Sequence, residues 1–257
     1  MQINLIYPHS QKEILEILYT AYRICYSKKT VSDIIEEIKS GKISETQIKK
    51  FLRARFKTGH TSPLRQIHFT FTIEGVSRVL TAQFNRHTIG VDRCEMSQRY
   101  VNLTNEVAAV IPESLESYDV KSHQSHPADF MLEFYREAFN KYTYMQGAWG
   151  IKAEDARYLL PMGSESREQA TFSFEALQNF LDVRLCSQAQ NEHKEMAWKM
   201  YKIMRKRFPF LSSALGIKCW SNRLGYCNEG EKQYCKCEWS KKRPHKIELM
   251  KLWKTRK

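Results

Sequence analysis

The stretch IHFTFTIEGV, residues 67–76, carries the clearest structural pattern in the chain. Apolar and polar residues alternate along it, in the two sets Ile67, Phe69, Phe71, Ile73 and His68, Thr70, Thr72, Glu74. A period of two predicts a β-strand that turns one face to a hydrophobic core. We therefore interpret this stretch as one strand of a half-buried sheet.

The charged stretch QFNRHTIGVDRCEMSQRY, residues 83–100, follows shortly afterwards. Arg86 and Arg99 lie thirteen positions apart, with His87, Glu95 and Ser97 between them. Two guanidinium groups with these neighbours can bind an anion and hydrogen-bond a polar heterocycle. Clustered charge is equally typical of a solvated loop, so the stretch alone leaves both interpretations open.

Apolar residues at helical spacing predict a largely helical remainder. The expected elements are a strand at 1–7, helices at 11–26, 31–40, 45–57, 77–87, 128–146, 152–160, 175–188 and 190–207, a polar loop at 113–126 and an extended piece at 171–174. Gly90 is expected to break the helix over 77–87, and Ser62 to cap the segment that starts at Pro63. Phe134 is assigned to an apolar core stripe within 128–146.

Composition indicates a globular protein, since 42% of the 257 residues are hydrophobic. No uninterrupted apolar run reaches the length of a transmembrane helix. The first residues resemble no signal peptide, and the seven cysteines are an odd number. We therefore expect reduced thiols and a cytoplasmic location.

The formal charge of +13 is concentrated at one end of the chain. Residues 240–257 hold eight lysines and arginines against one glutamate, which is more than half of the excess. A basic tail of this kind does not give the fold itself a nucleic-acid-binding face. We predict a domain over 1–215, followed by a cysteine-containing basic extension over 216–257, and neither a membrane nor a nucleic acid as partner.

The common metal and nucleotide motifs are absent: the chain has no HExxH, CxxC, GxGxxG, P-loop or GxSxG sequence. Four thiols fall within nineteen residues, at Cys219, Cys227, Cys235 and Cys237. Their spacing lacks the short knuckle that presents two sulfurs to one zinc ion. A metal site and reduced thiols both stay open, and we predict no metal.

Two further arginines stand in apolar surroundings, Arg157 in ARYLL (156–160) and Arg184 in LDVRL (181–185). A guanidinium group is costly to bury without an anion or several acceptors. A single such arginine usually belongs to an ion pair, whereas several together suggest a site for a phosphate or an ionisable ring.

Taken in order, these stretches resemble the flavin-dependent thymidylate synthases over about residues 1–230. The matching blocks are GHTSP (59–63) with HFTFTIEGVSR (68–78), NRHTIGVDRCEMSQRYV (85–101), EDARYLLP (154–161), LQNFLDVRLCSQAQNE (177–192) and GYCNEG (225–230). The second block resembles the family's RHR-x7-8-S pattern.

The resemblance implies an α/β (α+β) fold with a central antiparallel sheet flanked by helices, and a homotetramer whose active sites form between subunits. It implies an enzyme that converts dUMP to dTMP, with methylenetetrahydrofolate as carbon donor, and FAD and NADPH as the hydride source. The unrelated synthase class uses a cysteine that follows a proline. No proline precedes a cysteine here, so that mechanism lacks an obvious nucleophile.

The resemblance also assigns roles to individual residues. Arg184 matches the catalytic arginine that favours ionisation of the uracil at N3. The dUMP-binding positions would be Gln83, Phe84, Asn85, Arg86, Glu95, Met96, Ser97, Gln98, Arg99, Arg157 and Arg184. The FAD-binding positions would be Ser62, Arg86, His87, Thr88, Glu95, Ser173, Glu175, Asn179 and Gln188.

Several residues depart from the family pattern. Thr88 stands where arginine is usual, Gln66 and Gln188 where histidine occurs, and Arg65 and Glu175 where Glu and Arg occur. We hypothesise that a Glu/Arg couple near the flavin has become the Arg65/Glu175 couple.

These departures leave two alternative hypotheses. One is a paralogue of the same fold that acts on another pyrimidine nucleotide or binds FAD weakly. The other is a basic nucleic-acid-binding module that uses the tail.

Overall fold

The computed structural model describes residues 1–8, 10–104, 107–120, 125–220, 224–237 and 243–254, except for the side chains of residues 233, 235 and 236. The described strands are β1 (Gln2–Tyr7), β2 (His68–Ser77), β3 (Val91–Glu95) and β4 (Glu165–Ser173). They form a four-stranded sheet in the order β1-β2-β4-β3. A mixed fold of helices with an antiparallel sheet confirms the predicted fold class.

Helices make up most of the rest. They are α1 (Gln11–Tyr26), α2 (Val31–Lys39), α3 (Glu45–Arg55), α4 (Arg78–Phe84), α5 (Glu113–Glu116), α6 (Pro127–Trp149), α7 (Ala153–Ala156), α8 (Phe174–Arg184), α9 (Asn191–Arg207), α10 (Pro209–Ser212), α11 (Glu231–Lys236) and α12 (Lys246–Lys254). Two 3₁₀ helices span Ser62–Gln66 and Arg157–Leu159. No helix among the described residues is long and apolar enough to cross a membrane.

The chain divides into two compact units. Unit 1 comprises residues 1–4, 72–88 and 92–170, and unit 2 comprises residues 5–71, 89–91 and 171–257. This division by contacts differs from the predicted domain boundary at residue 215, which stays a prediction.

An aromatic cluster forms the core of unit 2. Phe69 on β2 lies with its ring centroid 5.7 Å from that of Phe174 and 5.5 Å from that of Phe208. Phe71, two residues along the same strand, contacts Phe172 at 6.1 Å. All five rings are almost fully buried, and burial of this much apolar area is the main favourable term in folding. The alternation that predicted β2 is therefore confirmed.

The first six residues of β4 and all of β3 were not predicted as strands. Along β4, residues 165, 167 and 169 are exposed, while Ser166, Glu168 and Ala170 are buried. Two of these three inward positions are polar, so the alternation is not visible as hydrophobicity. In β3 only Val91 is buried, and its charged residues made the stretch resemble a loop.

Other boundaries need correction. The helix predicted over 77–87 ends at Phe84, well before Gly90, and the helix predicted over 175–188 ends at Arg184. The predicted loop over 113–126 contains α5, and residues 121–124 lie outside the described part.

Two local assignments were also wrong. Ser62 does not cap the 3₁₀ helix but is its first residue. Phe134 is 56% exposed and lies outside the core, whereas Tyr135, Ala138, Phe139 and Tyr142 form the buried face of α6.

Candidate functional site

The segment that follows α4 carries Arg86 and His87. The amides of Asn85 and His87 donate to Thr81 and Phe84 carbonyls at 2.8 and 2.9 Å, so the chain continues as tight turns after the helix ends. Arg86 and Thr88 are exposed, and His87 is half-buried. The guanidinium group of Arg86 is therefore available to a ligand.

Arg93 on β3 binds the end of α4 through three carbonyl groups. Its Nη1 donates to Phe84 and His87, the latter at 3.1 Å, and its Nη2 donates to Asn85 at 3.1 Å. The guanidinium carbon also lies 5.2 Å from the centroid of the Phe84 ring. The last carbonyls of a helix carry partial negative charge and lack helical partners. Arg93 therefore stabilises the helix end from which Arg86 and His87 project.

Glu95, at the end of β3, is held by two neighbours. Its Oε1 accepts from Arg78 and, at 3.2 Å, from the hydroxyl of Ser166. Arg78 and Glu95 are both substantially shielded from solvent, with side chains 33% and 19% exposed. The pair fixes the orientation of the carboxylate, and a carboxylate has a second oxygen that can accept from a ligand.

The neighbouring residue Glu168 is buried and lies in the field of two arginines. The residue is 5% exposed, and neither carboxyl oxygen accepts a hydrogen bond within the described part of the chain. Burial raises the pKa of the Glu168 carboxyl to about 7, although Arg93 and Arg78 act in the opposite direction. A carboxyl group without donors in an apolar setting favours its neutral form.

A second cluster gathers three of the predicted dUMP-binding residues. Arg99 Nε lies 2.7 Å from Glu154 Oε2, and Arg157 Nε donates to the Glu154 carbonyl at 3.0 Å. The Ser97 hydroxyl accepts from the Arg99 amide at 3.2 Å. Ser97 and Arg157 are half-buried and Arg99 is exposed. Two guanidinium groups that contact the same residue, with a hydroxyl bonded to the amide of one of them, supply the kinds of donor that a phosphate group requires.

The remaining residues predicted to bind dUMP in unit 1 lie around these two clusters. Gln83 is half-buried on α4, Phe84 is buried, and Met96 and Gln98 are half-buried. Met96 and Ser166 also line a cavity of about 240 Å³.

In unit 2, the residues predicted to bind FAD come mainly from the Ser62–Gln66 helix and α8. The exposed Ser62 hydroxyl lies 2.8 Å from His60 Nε2, and the Tyr26 hydroxyl lies 2.8 Å from His60 Nδ1. The Tyr22 hydroxyl donates to the His60 carbonyl at 3.0 Å, and burial raises the pKa of Tyr22 to about 12. His60 is thus fixed from three sides and in turn orients Ser62.

Arg65 and Glu175 form an ion pair within the chain, which confirms the contact that our hypothesis required. Asn179 is exposed one helical turn after Glu175, on the same face of α8. Ser173 caps α8 by accepting from the Ala176 amide at 3.2 Å.

Gly90 approaches Ser173 closely. Its φ is +68°, and a Cβ atom added to it would lie 2.7 Å from the Ser173 hydroxyl oxygen. Only glycine adopts this conformation readily.

Arg184 and Gln188 lie at and beyond the end of α8. Arg184 is the last residue of the helix and is half-buried, whereas Gln188 is exposed. The apolar neighbours of Arg184 in the sequence suggested a buried side chain, whereas the residue is only partly shielded from solvent.

The cysteine tract lies apart from these clusters in the sequence. Cys186, Cys219, Cys227 and Cys237 line a small cavity of about 20 Å³, and the side chain of Cys235 lies outside the described residues. Burial raises the pKa of the Cys186 and Cys219 thiols. Within the described part, no group of three or more His, Cys, Asp or Glu side chains has a geometry that could hold a metal ion.

Comparison with known proteins identifies the family of this chain. The profile of the family described as "Thymidylate synthase complementing protein" matches residues 9–210. A flavin-dependent thymidylate synthase of Nitratidesulfovibrio vulgaris is 35% identical over 224 residues, which cover 87% of this chain and 90% of the relative. The chain belongs to the flavin-dependent thymidylate synthase family. An enzyme of the same name from Pyrococcus abyssi is 36% identical over 74% of this chain and 77% of its own.

The fold is also that of a solved flavin-dependent thymidylate synthase. The crystal structure of the Helicobacter pylori enzyme, complexed with FAD and dUMP, matches with a TM-score of 0.58 at 19% identity. The match covers 82% of this chain and 97% of the other. At this identity the likeness concerns the fold alone.

Sequence reasoning missed Arg78, Arg93, Ser166 and His60, which contact the predicted site residues or their backbone, and the buried Glu168 beside them. The sequence contains weak signals for three of them. Arg93 lies within the charged stretch 83–100, His60 precedes Ser62 in GHTSP, and Arg78 ends the block HFTFTIEGVSR. Ser166 and Glu168 gave no signal, because the strand that carries them was not predicted.

Proposed function

We propose that the protein catalyses the reductive methylation of dUMP to dTMP, with methylenetetrahydrofolate as the carbon donor and FAD and NADPH as the hydride source. Membership of the family supports this reaction. The single observation that carries it is the cluster in which Arg99 and Arg157 both contact Glu154 next to Ser97. A phosphate dianion attracts two guanidinium groups more strongly than one carboxylate does.

On this proposal, dUMP is bound by both clusters of unit 1. Ser97, Arg99 and Arg157 bind the phosphate, while Arg86 adds positive charge from the end of α4. Glu95, oriented by Arg78, accepts a hydrogen bond from a donor on the nucleoside. The full proposed set remains Gln83, Phe84, Asn85, Arg86, Glu95, Met96, Ser97, Gln98, Arg99, Arg157 and Arg184.

Arg184 is the proposed catalytic residue. A guanidinium group beside the uracil ring stabilises the N3 anion electrostatically and so lowers the pKa of N3. The anionic ring is richer in electrons, which favours attack from C5 on the methylene carbon. Because guanidinium stays protonated at all relevant pH values, Arg184 acts through charge and hydrogen bonding and not as a base.

The described residues fit a flavin dinucleotide by their chemistry. Ser62 and Asn179 present exposed hydrogen-bonding groups, and Arg86 presents an exposed cation suited to a diphosphate. The Arg65–Glu175 pair reverses the charges found in other members while keeping an ion pair. When bound, FAD supplies the hydride chemistry of the reaction. The full proposed set remains Ser62, Arg86, His87, Thr88, Glu95, Ser173, Glu175, Asn179 and Gln188.

We also propose a homotetramer with shared active sites, a cytoplasmic location, and a catalytic region over 1–215 followed by the extension over 216–257. Light scattering at several protein concentrations tests the assembly.

An anaerobic assay of the pure protein with dUMP, methylenetetrahydrofolate, NADPH and FAD tests the reaction. We expect dTMP to form in the wild type and to be lost by at least about a hundredfold in Arg184→Ala, since an electrostatic contact to the reacting ring is removed. Arg136→Ala, an exposed arginine on α6, serves as the control. Absence of dTMP under conditions where a known family enzyme turns over would contradict the proposal.

Removal of the tail tests the nucleic-acid alternative. A chain truncated after residue 238 should retain dUMP turnover. If the truncated chain loses both dUMP turnover and polynucleotide binding, the proposal that catalysis does not require the tail is wrong.

A further inference from the structure

Arg93 and Glu168 are charged groups that the proposed reaction does not use directly. The guanidinium group of Arg93 donates hydrogen bonds to the carbonyls of Phe84, Asn85 and His87. Three backbone acceptors on one guanidinium group fix a segment of four residues as a unit, because the planar fork presents its donors in fixed directions. The residue between these acceptors is Arg86.

Glu168 is buried, and neither of its carboxyl oxygens accepts a hydrogen bond among the described residues. Its carboxyl group interacts electrostatically with Arg93 and with Arg78. Arg78 is itself bound to Glu95; burial lowers its pKa, while the charge of Glu168 acts in the opposite direction and that of Arg157 in the same one. Of the two arginines, Arg93 has the larger effect on the pKa of Glu168, and its hydrogen bonds among the described residues go to neutral carbonyls, so Glu168 is the carboxylate that balances its charge.

We propose that Arg93 is a positioning residue that fixes residues 84–87, and that Glu168 is the buried counter-ion that keeps it there. The role in ligand binding rests on the proposed function, since it assumes that Arg86 and His87 contact dUMP and FAD. The role of Arg93 in ordering residues 84–87 does not depend on the proposed function. Ionised Glu168 attracts Arg93 and so favours the position in which Arg93 binds the three carbonyls. Protonation of Glu168 weakens this attraction.

Hydrogen–deuterium exchange of the peptide that covers residues 83–90 tests the ordering role without any ligand. Arg93→Met, which keeps the apolar stem but removes all donors, should accelerate exchange of this peptide by at least about tenfold. Arg93→Lys retains the charge and should restore part of the protection. The matched control is Arg136→Met, on the exposed side of α6. Unchanged exchange in Arg93→Met would overturn the proposal.

The counter-ion role has its own readout. The protection factor of this peptide is the intrinsic exchange rate divided by the observed rate. In the wild type it should rise with pH, with a midpoint near 7, because Glu168 loses its proton there. Glu168→Gln should flatten this profile, whereas Glu165→Gln, an exposed carboxylate on the same strand, should leave it intact. A profile that is the same in Glu168→Gln and in the wild type would refute the role of Glu168.

Ligand binding then separates this inference from the proposed function. We expect Arg93→Met to weaken dUMP binding by about tenfold in calorimetry and to raise KM more than it lowers kcat, since the binding contact of Arg86 is displaced. If the wild type forms no dTMP, the proposed function fails while the exchange experiments still decide the ordering role. If exchange responds as expected but dUMP binding is unchanged, the link to the ligand site is wrong.

Discussion

Replacing Glu168 by glutamine should raise stability at pH 8 and leave it almost unchanged near pH 4. Glu168 is 5% exposed, its carboxyl group receives no hydrogen bond within the described residues, and burial raises the pKa of this group from 4.5 to about 7. Between these two values the folded protein holds a proton that the unfolded chain releases. Folding is therefore opposed progressively as the pH rises from about 4.5 to about 7.

The size of the effect follows from the two pKa values. At about 1.4 kcal/mol per pKa unit, ionising Glu168 in the folded protein costs about 3 kcal/mol relative to the unfolded chain, and most of this falls between about pH 5 and about pH 8. Glutamine is similar in shape and does not ionise, so the variant avoids this cost. We expect the stability difference between variant and wild type to increase by about 2 kcal/mol over that interval.

Urea unfolding at fixed protein concentration, repeated from about pH 5 to about pH 8, measures this difference directly. The difference between the two proteins cancels the titration of all other groups. Glu165→Gln is the control, since its carboxylate is exposed on the same strand, and its curve should run parallel to that of the wild type. If Glu168→Gln also runs parallel to the wild type, Glu168 does not titrate with a raised pKa and the reasoning is refuted.

Three further predictions concern the proposed binding clusters. Glu154→Gln should tighten dUMP binding by about two- to fivefold in calorimetry, because an exposed ion pair that competes for Arg99 is removed; weaker binding would contradict the competition. Gly90→Ala should lower the free energy of unfolding by about 1–3 kcal/mol in urea melts, since its φ is +68° and the added methyl group meets a hydroxyl on β4. Arg65→Gln and Glu175→Gln should each weaken FAD binding in fluorescence titrations. The swapped double variant Arg65→Glu/Glu175→Arg should bind FAD more tightly than either single variant, because it restores the ion pair. Weaker FAD binding by the double variant than by both single variants would show that the two residues do not compensate for each other.

Much of the fold was predictable where side-chain chemistry follows the period of the element. The strand β2 was found because phenylalanine and threonine alternate along it, and the long helices because their apolar residues recur at helical spacing. The strand β4 was not found over its first six residues, because Ser166 and Glu168 fill inward positions at which a hydrophobic period of two expects apolar residues. The end of α4 was misplaced, because it is set by donors from Arg93, which no local pattern reveals.

The candidate site shows the same division. Positions that resemble the family pattern could be assigned one by one; in the structure Arg99 and Arg157 both contact Glu154, and Ser97 contacts Arg99. The partners that orient them depend on tertiary contacts between distant parts of the chain. Glu154 was noted only as part of a matching block, and Glu168 was not identified as a candidate. The sequence around a carboxyl group on a strand does not show which distant residues surround it in the fold.

The polar inward positions of β4 have a consequence for how the strand finds its register. A one-residue slip normally moves apolar side chains into water, and this penalty selects the correct pairing. Over residues 165–170 the penalty is small, since Ser166 and Glu168 gain little from burial. Selection then depends on Phe172 further along β4, since a one-residue slip would move its fully buried ring to the other face of the sheet. Replacing Phe172 by threonine should consequently lower the fidelity of refolding, with mispaired strands accumulating from this part of the sheet.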